Sequence, residues 1–302
     1  FGGLPTKKAQ MPNLQHAPAE LVAWYAEQDA LMTLRLWEWQ EEEIVRQDLR
    51  RIVDFERSVL PTICRRNAAG IRVDLGRAEQ AMGDLTPIID IKTAELNALA
   101  GWNINVNSPP QIKKLLVPEK RDGGWFVGNE LIGTAASGGP SLKAEFLREL
   151  DHPAAQLVEQ VRSLLKTRDT FLAKHILEHA VGDRVYPTIN QTKGEDGGTG
   201  TGRLSYTDPA MQQIPSRNKK IAAIVKPCFL PDEGDMWVDL DQASFEVRIF
   251  AHLANDLAII QRYKENPMLD FHRAVADLTG LVRDAEYSGQ PNSKQLNLSM
   301  IF

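Results

Sequence analysis

The 302 residues, 43% apolar and 25% charged, have an ordinary globular composition and are enough for two or three small domains. No run approaches the roughly 18 consecutive apolar residues of a membrane span, and no basic-then-apolar leader opens the chain. Cys64 and Cys228 are far apart, with no CxxC and no zinc-type spacing, so a reducing intracellular compartment is expected. A formal net charge of −5 argues against a nucleic-acid partner on the total alone. Phosphate is met by patches, however, and basic residues gather between Arg162 and Lys226, whereas acidic ones dominate at Glu41 to Glu43. A plain solvated surface explains the same charges. Both ends read as cut, with Phe1 opening the chain and the apolar, uncapped Ser299-Met300-Ile301-Phe302 closing it.

In chain order, residues 18 to 48 predict one long helix, with Leu21, Val22, Tyr25, Asp29, Met32, Leu36 and Trp37 at three- and four-residue spacing. A second helix is expected over 49 to 68, with Ile52, Phe55, Val59, Leu60 and Ile63 inward and Gly70 as its C-cap. The alternating Ile71 to Asp74 precedes a helix over Arg77 to Ala98. Ser108-Pro109-Pro110 reads as a helix start, with serine as N-cap and proline in the first turn. After a loop-rich stretch bracketed by Gly123-Gly124 and Gly138-Gly139, a helix is expected from Leu142 to about His179. Arg184 to Ile189 looks like a strand, and Gly194 to Gly202 is a glycine-rich loop. Met236 to Leu240 predicts a short buried strand running straight into an amphipathic helix carrying Phe245, Ile249, Leu253, Leu257 and Ile260. No internal repeat is present. The order, helices first and then strands mixed with helices, predicts an α+β, mostly helical fold.

Four groups of residues are candidates for chemistry. Asp241 leaves the expected strand, where a carboxylate on a rigid support suits a divalent cation, and Glu246 follows in the first helical turn. A helix N-cap at Asp241 and a dipole-favoured Glu246 account equally for that pair. Thr199 to Ser205, with Asp208 to Arg217 behind it, combines glycines that let backbone come close to a ligand with Arg203 and Arg217, whose guanidinium groups suit phosphate or a base edge. The loop matches neither the Walker spacing nor GxGxxG, and most such loops are linkers. Lys294 with Asn297, and His272, suit a triphosphate, although a single lysine is usually a surface charge. Tyr25 and Asp29 fall on one helix face, as a nuclease site requires and as amphipathic packing also produces.

Asp241 to Leu253 (DQASFEVRIFAHL) resembles motif A of family A, polymerase I-type DNA polymerases, commonly written DYSQIELRVLAHL. Thr201 to Arg217 resembles the family's TGRLSSxxPNLQNIPxR segment. Tyr25 to Ala30 resembles the third exonuclease motif, Asn103 to Gln111 the thumb's FNxxSPxQL segment, and Arg72-Val73-Asp74 the stretch before the thumb. The resemblance covers essentially the whole chain in order.

It implies a right-hand architecture cut short, with 1–48 ending a 3′–5′ exonuclease domain, 49–183 a connecting helix and thumb, 184–244 part of an antiparallel palm and 245–302 the start of the fingers. It implies transfer of a deoxynucleotide from dNTP to a primer 3′-hydroxyl on a DNA template, assisted by two Mg²⁺ about 4 Å apart. Asp241 is then a ligand to both ions and Glu246 the steric gate against a ribose 2′-hydroxyl. Lys294 and His272 contact the triphosphate. Arg203, Gln212 and Arg217 track the duplex, with Asn107, Ser108 and Lys166 contributing from the thumb. Tyr25 and the metal-binding Asp29 are exonuclease residues.

Some positions depart from the family pattern. Gln290 stands where the fingers carry an arginine, Leu298 where they carry an aromatic residue, Ser299 a glycine and Phe302 a tyrosine. Ala210 replaces an asparagine and Gln242-Ala243-Ser244 alter the interior of motif A. Such drift suggests a bacteriophage or environmental lineage, acting in the cytoplasm of a bacterial or phage-infected cell. The remaining catalytic carboxylates fall outside this sequence, so the chain alone is expected to be inactive. A split polymerase completed by a partner chain, and a DNA-binding relic, are the alternatives. A processivity partner is not indicated either way.

Overall fold

The computed structural model describes residues 16–135, 137–194, 197–216, 218–285 and 290–301. By contacts the chain divides into two units, Phe1–Ala69 and Gly70–Phe302.

The described residues of the first unit form helices α1 (Ala19–Arg46) and α2 (Arg50–Ala69). They reverse direction through a tight turn at Asp48, whose φ is +54°. Glu41 holds that turn by accepting from Arg50 at 2.6 Å and from Arg57 at 3.4 Å. The expected inward stripe of α2 does not form a buried face. Ile63 alone of the five is buried, Val59 is half-buried, and Ile52, Phe55 and Leu60 are exposed. Helix α1 buries none of its side chains. An apolar stripe sinks only when another layer covers it, and the described residues of this unit supply no such layer.

The second unit begins with a turn that needs glycine. Gly70 has a φ of +63°, and a Cβ there would lie 2.7 Å from the Tyr186 ring and 2.9 Å from the Val185 carbonyl. Strand β1 (Ile71–Val73) leads into α3 (Leu75–Ala100), which Asp74 caps by accepting from the Arg77 amide at 2.9 Å. Next come α4 (Pro109–Leu116), the antiparallel meander β2 (Glu119–Arg121), β3 (Gly124–Val127) and β4 (Glu130–Ile132), then α5 (Ala144–Glu149) and α6 (Pro153–Leu165). Helix α6 continues into a wider, π-wound segment, Lys166–Glu178.

Short strands follow: β5 (Ala180–Val181), β6 (Arg184–Val185), β7 (Thr188–Asn190) and β8 (Ser205–Thr207). Helix α7 (Lys219–Val225), β9 (Phe229–Leu230), α8 (Phe245–Leu253), α9 (Leu257–Glu265), α10 (Phe271–Thr279) and α11 (Ser293–Ile301) complete the unit. One antiparallel sheet has the order β5-β6-β1-β9, with Ile71 opposite Val185 and Val73 opposite Phe229; β7 and β8 form a separate pair. The fold is therefore α+β and mostly helical, as expected.

Helix α3 spans two cores. Its first half packs Ala78, Leu85 and Ile89 against Leu172, Ile176, Val185 and Val225. Its end places Leu96 with Ile112, Leu147, Val158 and Val161. Leu172, at 0% exposure, is among the largest fully buried side chains, at about 1.5–3 kcal/mol of transfer free energy apiece.

Four elements differ from expectation. The helix over 142–179 is interrupted between Leu150 and His152, because Pro153 has no amide to continue it and instead opens α6. The strand over 184–189 breaks at Tyr186-Pro187, for the same lack of a donor. The helix carrying Phe245 to Ile260 is two helices, since Asn255 adopts a φ of +52° and Asp256 caps α9 by accepting from the Ala258 and Ile259 amides. Met236 to Leu240 forms no strand and is not buried. Met236 is 79% exposed and Leu240 90% exposed, because no strand pairs with this segment among the described residues.

Candidate active site

The turn from Asp241 to Glu246 is built by a left-handed residue. Ser244 has a φ of +53° and is the N-cap of α8, without a side-chain capping bond. Asp241 lies three residues before that cap and is exposed, so helix capping does not explain it. Arg248 braces the turn. Its Nε donates to the Ala243 carbonyl at 2.9 Å, its guanidinium reaches the Pro267 carbonyl, and it sits over the Tyr263 ring at 4.2 Å from the centroid. Val247 and Ala251 on α8 and Tyr263 on α9 are buried beneath it. Nothing in the chain's periodicity pointed to Arg248; its part follows from Ser244, which turns the backbone so that the arginine faces the turn carbonyl.

The described part of the glycine-rich loop bonds to itself. Gly198 has a φ of +92°, and a Cβ there would come within 2.1 Å of the Thr192 carbonyl oxygen. The Gly198 amide donates to Ser205 Oγ at 3.0 Å, and Thr199 Oγ1 donates to the Arg203 carbonyl at 2.7 Å. A free linker would make neither bond. Arg203 Nη2 then reaches Glu246 Oε1 at 2.8 Å, joining the two motifs across 43 residues. Gln212 Nε2 donates to the Leu204 carbonyl at 2.9 Å, holding the turn that carries Arg203. Arg217 lies outside the described residues.

A third cluster lies on α10 and α11. His272 is buried, and its Nδ1 is 2.9 Å from Asn297 Nδ2. That contact ties the imidazole of α10 to α11 through Nδ1 and leaves Nε2 outside it. Burial pushes the His272 pKa below the ordinary histidine value, with Asp270 opposing that shift. Ser293 Oγ donates to the His272 carbonyl at 2.6 Å. Lys294 is paired with Asp284 at 3.5 Å, and Arg283 holds Asp270 at 2.6 Å as well as Asp284. Burial works against ionisation of Asp284, but Arg283 and Lys294 outweigh it, so its pKa lies below the usual carboxylate value. Leu298 is half-buried on α11, and Gln290 precedes that helix, its carbonyl accepting from Asn292. Phe302 lies outside the described residues. Sequence reasoning missed Asp284 and Ser293, which are short polar residues in a stretch without periodicity.

The remaining candidates lie elsewhere. The Asn107 amide is taken by Asn105 Oδ1 at 2.9 Å, and Ser108 is the N-cap of α4 with no side-chain capping bond. Lys166 is exposed, its Nζ 5.4 Å from the Phe171 ring centroid. Arg162, counted with the basic patch, is instead half-buried, donating to the Val106 carbonyl at 2.6 Å and the Leu142 carbonyl at 2.9 Å. Burial lowers its pKa. In the first unit Tyr25 and Asp29 do meet, and a hydrogen bond to Asp29 raises the Tyr25 pKa. Among the described residues no three His, Cys, Asp or Glu side chains gather as a cation site, and no helix is long and apolar enough to cross a membrane. Asp241 fits a divalent ion only as one contributor.

The model of DNA polymerase family A matches residues 77–302, about three quarters of the chain. The chain belongs to DNA polymerase family A. Over its whole length it is 56% identical to DNA polymerase DpoZ of Vibrio phage phiVC8 and 50% identical to DNA polymerase DpoZ of Salmonella phage PMBT28, covering 48% and 50% of those proteins. The chain thus spans about half the length of these relatives. It is 27% identical to DNA polymerase I of Pseudomonas aeruginosa, again over its whole length, covering 32% of that protein. Among solved structures it is similar to the POL domain of Pol1 from M. smegmatis in complex with DNA primer-template and dNTP. The TM-score is 0.61 at 25% identity, over 80% of this chain and 40% of that one. The family A resemblance is thus borne out, and phage proteins stand among the relatives, as the drift in the fingers and motif A suggested.

Proposed function

We propose that this chain is part of a DNA-directed DNA polymerase that transfers a nucleotide from dNTP to the 3′-hydroxyl of a primer on a DNA template. The observation that carries the proposal is the 2.8 Å pair between Arg203 and Glu246, which joins the glycine-rich segment to the turn bearing Asp241. In this reading Glu246, 44% exposed and held by Arg203, stands where a 2′-hydroxyl would arrive, and Arg203 and Gln212 face the primer end. Lys294 and His272 meet the triphosphate. The primer oxygen attacks the α-phosphate and pyrophosphate leaves. Two Mg²⁺, when bound, would supply charge neutralisation at that phosphate, and Asp241 would be one of their ligands. Tyr25 and Asp29 belong to a proofreading site, where a tyrosine stands beside a metal-binding carboxylate.

Extension of a labelled primer by the full-length protein tests the reading. Template-dependent incorporation is expected, lost in Asp241→Ala while primer-template binding persists. The 302-residue chain alone is expected to extend nothing. Full-length protein that binds primer-template but adds no nucleotide would overturn the proposal.

A further inference from the structure

Lys294, to which the reading above gives the incoming triphosphate, already has an anionic partner. Asp284 Oδ1 lies 3.5 Å from Lys294 Nζ, and both side chains are about half exposed, at 49% and 48%. Asp284 is not a loose surface carboxylate. Its other oxygen is held by Arg283, which is itself anchored to Asp270 at 2.6 Å, and Asp270 caps α10 through the Arg273 amide at 3.0 Å. The backbone around Asp284 is fixed as well. The Ser293 amide donates to the Val282 carbonyl at 2.9 Å and the Lys294 amide to the Arg283 carbonyl at 3.1 Å. Ser293 Oγ, fully buried, ties the start of α11 to the His272 carbonyl.

Among the described residues the cluster thus pairs two carboxylates, Asp270 and Asp284, with two cations, Arg283 and Lys294. A triphosphate carries several negative charges and approaches a lysine whose charge is already opposed. Arg283 and the fixed backbone keep Asp284 beside Lys294, so phosphate and carboxylate compete for one ammonium.

We propose that Asp284 is an internal competitor of the triphosphate for Lys294, and that it sets the KM for dNTP. The inference rests on the functional reading above. A half-exposed ion pair of this kind is weak, so its removal is expected to lower KM by about 1.5- to 5-fold. The effect is electrostatic and fades as salt rises.

The test uses the full-length protein in steady-state primer extension at about 50 mM and about 500 mM salt. Asp284→Asn keeps the shape and removes the charge. KM for dNTP is expected to fall at low salt and to converge with the wild type at high salt. Asp284→Glu, which restores the charge, is expected to return KM toward the wild-type value. Asp277→Asn, whose carboxylate pairs with Arg273 at 3.8 Å on the same helix as His272, is the control for general charge and is expected to leave KM unchanged. A KM in Asp284→Asn that is unchanged or raised at low salt overturns the inference, as does an equal fall in Asp277→Asn. Wild-type protein that incorporates no nucleotide overturns the functional reading instead, and Asp284 with it.

Discussion

Arg162 is where charge counting and structure part most sharply, and replacing it separates the two. As one of the basic residues between Arg162 and Lys226 it would meet phosphate, and its loss would flatten the salt dependence of DNA binding by about one unit of slope. In the structure it is half-buried and spans two loop carbonyls, Val106 at 2.6 Å and Leu142 at 2.9 Å. These carbonyls flank Ile104, Val106 and Leu147 in the core at the end of α3, so Arg162 staples the entry of α4 to the entry of α5. Arg162→Ala orphans both oxygens. Each partly buried carbonyl left unpaired costs about 1–2 kcal/mol, giving roughly 2–4 kcal/mol locally. Amide hydrogen exchange over residues 104–116 and 142–165 reads that cost directly, as roughly 30- to 700-fold faster exchange. Arg162→Lys keeps the charge but not the fork that reaches two acceptors, and is expected to recover only part of the protection. The salt slope of primer-template binding is expected to be unchanged in Arg162→Ala and shallower in Lys166→Ala. Unchanged exchange together with a shallower slope in Arg162→Ala would refute the structural assignment.

Glu246→Ala is expected to raise ribonucleotide incorporation relative to deoxyribonucleotide incorporation in single-nucleotide extension, and unchanged sugar discrimination would remove Glu246 as the gate. Leu172→Ala, in the core beneath β6, is expected to destabilise the second unit by about 2–5 kcal/mol, read as faster exchange over 71–96 and 166–178. His175 and His272 are both held below the ordinary histidine value, chiefly by burial. Each therefore takes up its proton more readily when unfolded, so stability is fully present above about pH 6.5 and is lost as pH falls below it. His272→Gln is expected to flatten the fall of melting temperature between pH 7 and pH 5, and an undiminished fall would show that His272 does not contribute to it.

What was legible in the sequence was what local chemistry decides. The period of α3, the Gly70 turn and the helix start at Ser108 follow from side-chain spacing and from residues with restricted or unusual backbone freedom. The motifs around Arg203 and Asp241 were legible by resemblance, and the structure adds the ion pair that joins them. What spacing did not reveal depends on partners distant in the chain. Met236 to Leu240 has the composition of a buried strand, yet burial requires a neighbour to take its amides and a layer to cover its face. The stripe of α2 is misread for the same reason. Apolar periodicity says which face seeks cover and not whether cover is present.

Polar residues fail in the opposite direction. Arg162, Arg248 and Asp284 look alike in a charge count, and each is assigned by the pair of acceptors or cations that its backbone position brings within reach. At Asp241 the decision comes from the backbone. Because Ser244 takes the cap position in a left-handed conformation, Asp241 is left outside the helix with an exposed carboxylate. Capping would have consumed one of its oxygens, whereas this geometry keeps both available to a cation. The turn therefore stores conformational strain, of the order of 1–2 kcal/mol at Ser244, next to the residue on which the proposed chemistry depends.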